Sequence, residues 1–391
     1  EVKAAYQPMR TQYVNGTLIV TNRYDFTNFS ECEMEYTIEA DGAVIDEKRL
    51  NMELAPHESK QIPIFTPKQE YHYGLYLTSR LYHSGELVAA CQHKLGDGKM
   101  PAGEMIAAAT DDKVYEVIFS GKGFRYVFSK QFGAFTSLVI DGKEQIAEPV
   151  RLTAWRAPTD NDRNIKLFWG SYNSWQGENL DKLFSKVYNC QISEGCVRVE
   201  GSLAGVSRKP FFHYTLEVSV NADGRVSVSL DGKVRENVTY LPRLGFEITL
   251  TGKNMPFRYY GCGPLESYCD MRHGSTVGLY ESSAEKEYVP YVRPQEHGNH
   301  VDVKLLEIGK LRFESGNAFE CNVSSYSVDA IDRAEHTDEL VCDGKTHLRI
   351  DYKVSGIGSN SCGPELLDQY RLSDKQIGFC FVISPLYKTI E

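Results

Sequence analysis

The most regular stretch of the chain runs Tyr214-Thr215-Leu216-Glu217-Val218-Ser219-Val220, turns at Asn221-Ala222-Asp223-Gly224, and resumes with Val226, Val228 and Leu230. Apolar and polar residues alternate on both sides of the turn, which is the pattern of a half-buried β-hairpin. Similar alternation occurs at Thr17–Thr21, Val114–Phe119, Phe124–Phe128 and Leu348–Val354. This period of two predicts an all-β chain.

Helical periodicity is scarce. The apolar residues Leu180, Leu183, Phe184 and Val187 predict one short amphipathic helix. A capping box at Ser282–Glu285 predicts a second, very short one. The eight strand–helix alternations that a (β/α)₈ barrel requires are absent from the sequence, whereas its 24 Tyr and 18 Phe suit pleated sheets.

The chain has 391 residues, which is too many for one small domain. Glycine, proline and small residues at 96–112 predict a linker. Residues 1–95 have the size and strand spacing of an immunoglobulin-like β-sandwich. Residues 113–391 continue with strand signals, so we expect one large β-sandwich there.

Charge and composition exclude several classes of protein. The net charge of −10 argues against a nucleic-acid partner, and the sequence has no apolar run long enough to cross a membrane. The ten cysteines form no C-x-x-C pair, so we predict no metal site and expect buried free thiols in a reducing compartment. The start, Glu1-Val2-Lys3, has neither an initiator Met nor a signal-peptide pattern, so we expect a chain cut from a larger bacterial protein, whose location is cytoplasmic or stays open.

Four segments break the alternation, and the first is Trp155–Arg163. Its candidate site residues are Arg156, Asp160, Asn161 and Asp162. Carboxylates and guanidiniums packed this densely could grip sugar hydroxyls or a cation. From local sequence alone, a charged turn locked by Arg–Asp pairs is the preferred interpretation.

The second segment, Tyr259–Arg272, places Glu266, Tyr268, Asp270 and Arg272 after a Gly-x-Gly-Pro turn. It is no phosphate loop, because no Lys-Ser/Thr or long helix follows. Aromatic rings beside carboxylates suit carbohydrates. The alternative is a sheet corner fixed by arginine.

The third segment, Tyr288–His300, contains Glu296, His297 and His300. These residues could bind a metal or transfer protons at a sugar's anomeric carbon. No third metal ligand lies nearby in the sequence. A hydrogen-bonded loop is therefore the preferred interpretation.

The fourth segment, Gly356–Glu365, is too rich in Gly and Ser to be a strand. Its candidates are Ser361 and Cys362. Because no base is visible beside Cys362, a buried thiol is preferred over a nucleophile.

Together, in this order, the four segments resemble the C-terminal region of bacterial β-galactosidases of glycoside hydrolase family two. The most specific match is Trp-Arg-Ala-Pro-Thr-Asp-Asn-Asp at 155–162. The stretches 261–268, 291–296 and 356–364 support it. Near the start, Glu1-Val2-Lys3 with Tyr6-Gln7-Pro8, and Asn22–Asn28, resemble the passage out of that family's barrel into its next domain. The resemblance covers almost the whole chain.

The resemblance implies a fold and a division of labour. The first part would be the immunoglobulin-like domain that follows the barrel, and the second the terminal sandwich, whose fold is shared with galactose mutarotases. Retaining glycosidases use two carboxylates about 5 Å apart. In this family both are glutamates on the upstream barrel, so no residue of this chain is expected to be catalytic and the chain alone is expected to be inactive.

The resemblance also implies partners. In the family, loops matching Arg156–Asn164 and Gly356–Pro364 help to close the galactose pocket. The second loop carries Ser361-Cys362-Gly363 where the best-known members have an aromatic residue that stacks on the sugar. That departure argues against direct stacking and leaves the loop a role in shaping the pocket. The implied partners are a β-galactoside, the catalytic barrel and, at full length, other copies of the protein.

The resemblance implies no cofactor for this chain, and a divalent or sodium ion stays open for the parent enzyme. Two other functions also stay open. A stand-alone carbohydrate-binding module would need an aromatic platform on its surface. An aldose 1-epimerase would need His297 or His300 paired with a carboxylate in a closed pocket.

Overall fold

The computed structural model describes residues 1–100, 106–163, 177–358 and 365–387. The chain divides into two compact units. The first unit contains Glu1–Ala102, Tyr260–Leu265 and Met271–Tyr280. The second unit contains Gly103–Tyr259, Glu266–Asp270 and Glu281–Glu391.

The first unit is a β-sandwich of two antiparallel sheets, with strand orders β1-β2-β5 and β4-β3-β6-β7. The strands are β1 (Met9–Val14), β2 (Thr17–Asn22), β3 (Cys32–Ala40), β4 (Ala43–Leu50), β5 (Ser59–Pro63), β6 (Gly74–His83) and β7 (Glu86–Asp97). Leu18 and Val20 of one sheet and Ile38 and Leu77 of the other are fully buried in one core. A short helix, α1 (Val2–Ala5), precedes β1.

The second unit contains a five-stranded sheet, in the order β12-β11-β10-β9-β8, and most of a twelve-stranded sheet. The main path of the larger sheet is β13-β18-β23-β22-β24-β17-β16-β15-β14; β19 pairs with β20 and β21, and β21 pairs with β22. The strands of the smaller sheet are β8 (Ala109–Asp112), β9 (Glu116–Gly121), β10 (Phe124–Ser129), β11 (Ala134–Ile140) and β12 (Lys143–Glu144). Those of the larger sheet are β13 (Arg151–Thr153), β14 (Leu183–Ser193), β15 (Cys196–Gly205), β16 (Phe212–Val220), β17 (Val226–Val234), β18 (Arg243–Leu250), β19 (Pro256–Gly263), β20 (Thr276–Ser283), β21 (Asn299–Ile308), β22 (Leu311–Ser324), β23 (Thr346–Val354) and β24 (Gln376–Pro385). Residues 160–163 and α2 (Val328–Arg333) are helical.

The hairpin predicted from the alternation at 214–230 is present. β16 and β17 pair antiparallel, with Leu216 opposite Leu230 and Val220 opposite Val226. In the turn Gly224 adopts a φ of +86°, in the region that glycine enters without steric cost. Buried and less buried residues alternate along both strands. The prediction of an all-β chain built from two sandwiches is confirmed, while the exact limits of the linker stay a prediction.

Both predicted helices are wrong. The stretch containing Leu183, Phe184 and Val187 forms β14, which pairs with β15 from Leu183 opposite Gly205 onward. Ser282 lies within β20, which ends at Ser283, and residues 284–287 form a turn in which the Lys286 amide donates to the Ser283 hydroxyl at 3.4 Å. Pairing with neighbouring strands outweighs the weak local helical pattern in both places.

Two further observations concern the described residues. Every cysteine among them is a free thiol, as expected, although Cys380 is exposed, whereas Cys32, Cys262 and Cys321 are buried. No helix in the described ranges has the length and apolar character needed to cross a bilayer.

Candidate functional site

The candidate site lies at one edge of the larger sheet, where three neighbouring strands end or begin. β13 pairs with β18 through Thr153 opposite Gly245, and β18 pairs with β23 through Arg243 opposite Val354. Because both pairings are antiparallel, the segments after β13 and β23 leave the sheet together. The sheet therefore brings the first and fourth predicted segments side by side.

Arg156 joins these two segments. Its fully buried guanidinium donates to both oxygens of Asp162, from Nε at 3.0 Å and from Nη2 at 2.8 Å. It also donates to the carbonyls of Ser355 and, at 3.0 Å, Gly356. The buried charge is thus paired and hydrogen-bonded, as a buried arginine must be. The Arg–Asp lock preferred from the sequence is present.

Asp160 and Asn161 extend the connection. The Asp160 amide donates to Oε1 of Gln295 at 2.8 Å, and its carboxylate, 63% exposed, pairs with Arg163 at 3.0 Å. The Asn161 side-chain amide donates to the carbonyl of Ile357. Three of the four segments are therefore held together around the helical turn at 160–163.

The second segment joins the same cluster through two carboxylates. Glu266 accepts hydrogen bonds from the Tyr291 hydroxyl and the Gly298 amide, both at 2.8 Å. Asp270 accepts from the amides of Ile357 at 3.1 Å and Gly358 at 2.7 Å. Each carboxylate thus fixes a loop that lies far away in the sequence.

Tyr268, which lies between Glu266 and Asp270 in the sequence, is fully buried. Burial raises the pKa of its hydroxyl well above the usual value, and the carboxylates of Glu296 and Glu266 add to the effect. Among the described residues its hydroxyl has no hydrogen-bond partner. The ring therefore serves as packing for the cluster.

Glu296 is bound by an arginine that the sequence analysis did not single out. Nη1 of Arg243 lies 3.2 Å from Oε1 of Glu296, and Nη2 of the same arginine lies 2.5 Å from Oδ2 of Asp351. All three side chains are almost completely buried. The Glu296 amide also donates to the Ala157 carbonyl at 3.1 Å, which ties the third segment to the first.

The two histidines of the third segment have different partners. His297 is buried, and its Nδ1 donates to the Gln295 carbonyl at 2.8 Å. His300 is fully buried, with Nε2 2.9 Å from Oε2 of Glu287, and its ring lies 4.3 Å from that of Tyr259 between centroids. The His–carboxylate couple is therefore formed by His300 and Glu287, not by either histidine with Glu296.

A second buried carboxyl was also missed. Glu320 of β22 lies directly opposite Asp351 of β23. It accepts hydrogen bonds from the Asn299 side chain at 2.7 Å and the Val354 amide at 3.1 Å. Desolvation raises the pKa of Glu320 to about 7, so it titrates near neutral pH.

Of the remaining predicted residues, one lies in the other compact unit. Arg272 belongs to the first unit, where its Nη2 lies 3.5 Å from the Cys262 sulfur. Ser361 and Cys362 lie outside the described residues. In the described ranges no three His, Cys, Asp or Glu side chains are grouped closely enough to hold a metal ion.

The arrangement fixes the shape of loops. The buried carboxylates of Asp162, Glu296 and Asp351 are bound by arginines, and Asp270 is bound by backbone amides. Asp160 is the candidate whose carboxylate is mainly exposed and can meet a polar ligand such as a sugar hydroxyl. Sequence reasoning missed Arg243 and Asp351. The signal that could have found them is a charge placed within a regular strand, since a charge on a strand buried on both faces must find a partner.

Comparisons with known proteins match this chain to β-galactosidases. A family model for the β-galactosidase small chain matches residues 120–383, and one for β-galactosidase domain 4 matches residues 18–96. The β-galactosidase of Actinobacillus pleuropneumoniae is 32% identical over 97% of this chain and 39% of its own length. That of Kluyveromyces lactis is 29% identical over 97% of this chain and 37% of its own length. This chain thus spans about two fifths of these relatives.

Among solved structures, an aldose epimerase homologue from C. elegans aligns with a TM-score of 0.38 and 8% identity, over 72% of this chain and 100% of its own. A galactose 1-epimerase from Lactobacillus acidophilus aligns with a TM-score of 0.34 and 10% identity, over 72% of this chain and 97% of its own. The sequence match over residues 120–383 decides the family. This chain belongs to the β-galactosidase small chain family.

Proposed function

We propose that this chain is the non-catalytic C-terminal part of an enzyme that hydrolyses terminal β-D-galactosyl residues. The two catalytic glutamates would lie on a barrel upstream. The loops after β13 and β23 would help to close the galactose pocket of that barrel, and the sandwiches would supply contacts to it and to other subunits. The conclusion rests on one observation, the convergence of the four family segments in one hydrogen-bonded cluster.

The chemistry of the cluster supports this division of labour. A retaining glycosidase needs one free carboxylate and one carboxylic acid about 5 Å apart, facing the substrate. Asp162, Glu296 and Asp351 are instead buried and bound by arginines. Such groups hold loops in place and are poorly suited to attack a sugar. The part-exposed Asp160 and Asn161 are the groups suited to polar contact with a ligand.

The first test assays this chain alone on o-nitrophenyl β-D-galactoside. We expect no turnover above a protein-free control. Turnover that disappears in the Asp160→Ala or Asn161→Ala variant would contradict the proposal, because it would place the catalytic machinery in these loops.

The second test uses the full-length enzyme that the proposal implies. Asn161→Ala removes the hydrogen bond to the Ile357 carbonyl and should loosen the loop after β23. We expect KM for the galactoside to rise several-fold with a smaller change in kcat. Glu217→Ala, on the exposed face of the hairpin, is the matched control and should change neither. Equal kinetics for Asn161→Ala and the control would remove the pocket-closing role.

Titration of this chain with galactose separates the proposal from a stand-alone carbohydrate-binding module. Saturable binding at millimolar sugar would favour the module. The epimerase alternative has a histidine–carboxylate pair in His300 and Glu287, but it is not favoured, because both side chains are buried and cannot contact a sugar from solvent. A polarimetric mutarotation assay that shows no activity is the expected result.

A further inference from the structure

A cavity of about 400 Å³ lies between the two sheets of the second unit. Phe128, Phe135 and Leu138 line it from the five-stranded sheet. Leu216 and Val228 line it from the twelve-stranded sheet. None of the residues that line it belongs to the four segments of the candidate site, so the cavity is a separate feature of the fold.

The apolar walls follow from the strand period. The inward positions of β16 and β17 are Leu216, Val218, Val228 and Leu230, and all four face the cavity. Successive side chains of a strand point to opposite faces, so the polar residues between them point away. Apolar cavities of roughly 150 Å³ stay dry and bind benzene, and ligand pockets commonly measure roughly 300 to 1,000 Å³. The volume here suits a ligand larger than one ring.

The charged groups in the lining already have partners. Oε1 of Glu148 lies 2.7 Å from Nζ of Lys345. Nη2 of Arg151 donates to Glu247 at 3.3 Å. A charged ligand would have to leave water without gaining a free counter-charge, which is costly. The lining therefore selects against charge.

Two aromatic residues make an opening. Phe132 and Phe184 both line the cavity and are 54% and 46% exposed. Because each of these side chains contacts both the solvent and the cavity, the cavity is open to solvent beside them. The cavity can therefore exchange ligands without unfolding of the sandwich.

We propose that this cavity binds an uncharged, largely apolar small molecule of about the size of two fused aromatic rings. The hydrophobic effect supplies the affinity, because binding removes apolar surface of both partners from water. The site is independent of the proposed galactosidase role, and its test involves no sugar.

The probe is N-phenyl-1-naphthylamine, a neutral dye whose fluorescence increases in apolar surroundings. With the full chain we expect saturable binding of one dye per chain and a rise in the thermal midpoint of unfolding. Val228→Phe and Leu216→Trp fill the cavity and should weaken binding at least tenfold. Ser229→Thr, on the opposite face of β17, is the matched control and should bind like the parent chain.

Failure of the folded parent chain to bind the dye saturably would overturn the proposal, as would unchanged affinity in a folded filling variant. If neither filling variant folds, the parent chain still decides the question by NMR. Nuclear Overhauser contacts are expected between the bound dye and the methyl groups of Val228 and Leu230. Their absence while dye is bound would place it elsewhere and reject the cavity.

Discussion

Arg243 and Asp351 form an ion pair, with Nη2 and Oδ2 2.5 Å apart, in which neither side chain has exposed surface. Glu296 lies on the other side of the same guanidinium at 3.2 Å. One arginine of β18 thus pairs with a carboxylate of β23 and with a carboxylate of the loop before β21. Two buried carboxylates share this guanidinium.

Replacing Arg243 by Ala should therefore strongly lower the free energy of unfolding. It would leave two buried carboxylates without their shared partner, and breaking a buried pair costs about 3–5 kcal/mol. Urea unfolding measures the loss. Arg198→Ala is the control, because Arg198 pairs with Glu217 at 3.1 Å with both side chains about half exposed. It should cost less than about 1 kcal/mol. Similar losses in both variants would contradict the central role of Arg243.

The titration of Glu320 should make stability depend on pH. Its pKa is raised in the folded chain from 4.5 to about 7 by desolvation, so the folded state binds the proton more tightly than the unfolded state. This contribution is fully present below pH 4.5 and is lost as pH rises to 7 and above. The expected loss is on the order of 3 kcal/mol.

The measurement is the free energy of unfolding between pH 4.5 and 8 for the parent chain and for Glu320→Gln. Other groups act in both proteins, so the difference between the two curves isolates Glu320. Glutamine stays neutral, and the difference should change with pH in the stated direction. Parallel curves would refute the prediction.

Gly356 should tolerate no side chain. A Cβ at this position would lie 2.5 Å from Cγ of Asp270, whose carboxylate holds the Ile357 and Gly358 amides. Gly356→Ala should cost about 1–3 kcal/mol through overpacking and should speed hydrogen exchange at those two amides. Gly378→Ala is the control, because its Cβ would meet only Asp231 Oδ1 at 3.6 Å. Unfolding and exchange like those of the control would disprove the clash.

Two buried tyrosines should respond oppositely to the loss of their hydroxyls. The Tyr268 hydroxyl is buried and has no hydrogen-bond partner among the described residues, so Tyr268→Phe should be neutral or stabilising. The Tyr126 hydroxyl donates to the Gly224 carbonyl at 3.0 Å, so Tyr126→Phe should cost about 1–2 kcal/mol. Thermal or urea unfolding compares them. A larger loss for Tyr268→Phe would show that its hydroxyl is bonded in solution.

The fold was predictable where one face of a strand is buried and the other is not. β16 and β17 show this alternation, and their register follows from it. The sequence of β14 predicted a helix, because the apolar residues of this edge strand do not alternate on one buried face. Phe184, for example, is 46% exposed. Only the pairing with β15 distinguishes the two structures.

The candidate site was predictable in part for a related reason. Sequence motifs identified the loops, because turn residues and charges are concentrated there. The alternation at Leu348–Val354 places Arg349 and Asp351 on the polar side of a strand, yet both are buried, because β23 is central and is buried on both faces. Alternation of apolar and polar residues along a strand does not show whether the charged side chains face solvent or are buried on the other face of the sheet.

The contact between Arg156 and Gly356 joins residues that are 200 positions apart in the chain. Closing so long a loop costs conformational entropy, and this cost arises before the contact can stabilise the fold. The guanidinium gains its bonds to the carbonyls of Ser355 and Gly356, which directly follow β23, only when β23 has been added to the sheet. We therefore expect the edge that carries the candidate site to assemble late in folding, after the hairpins. Its formation would then report that the C-terminal strands have reached their final positions.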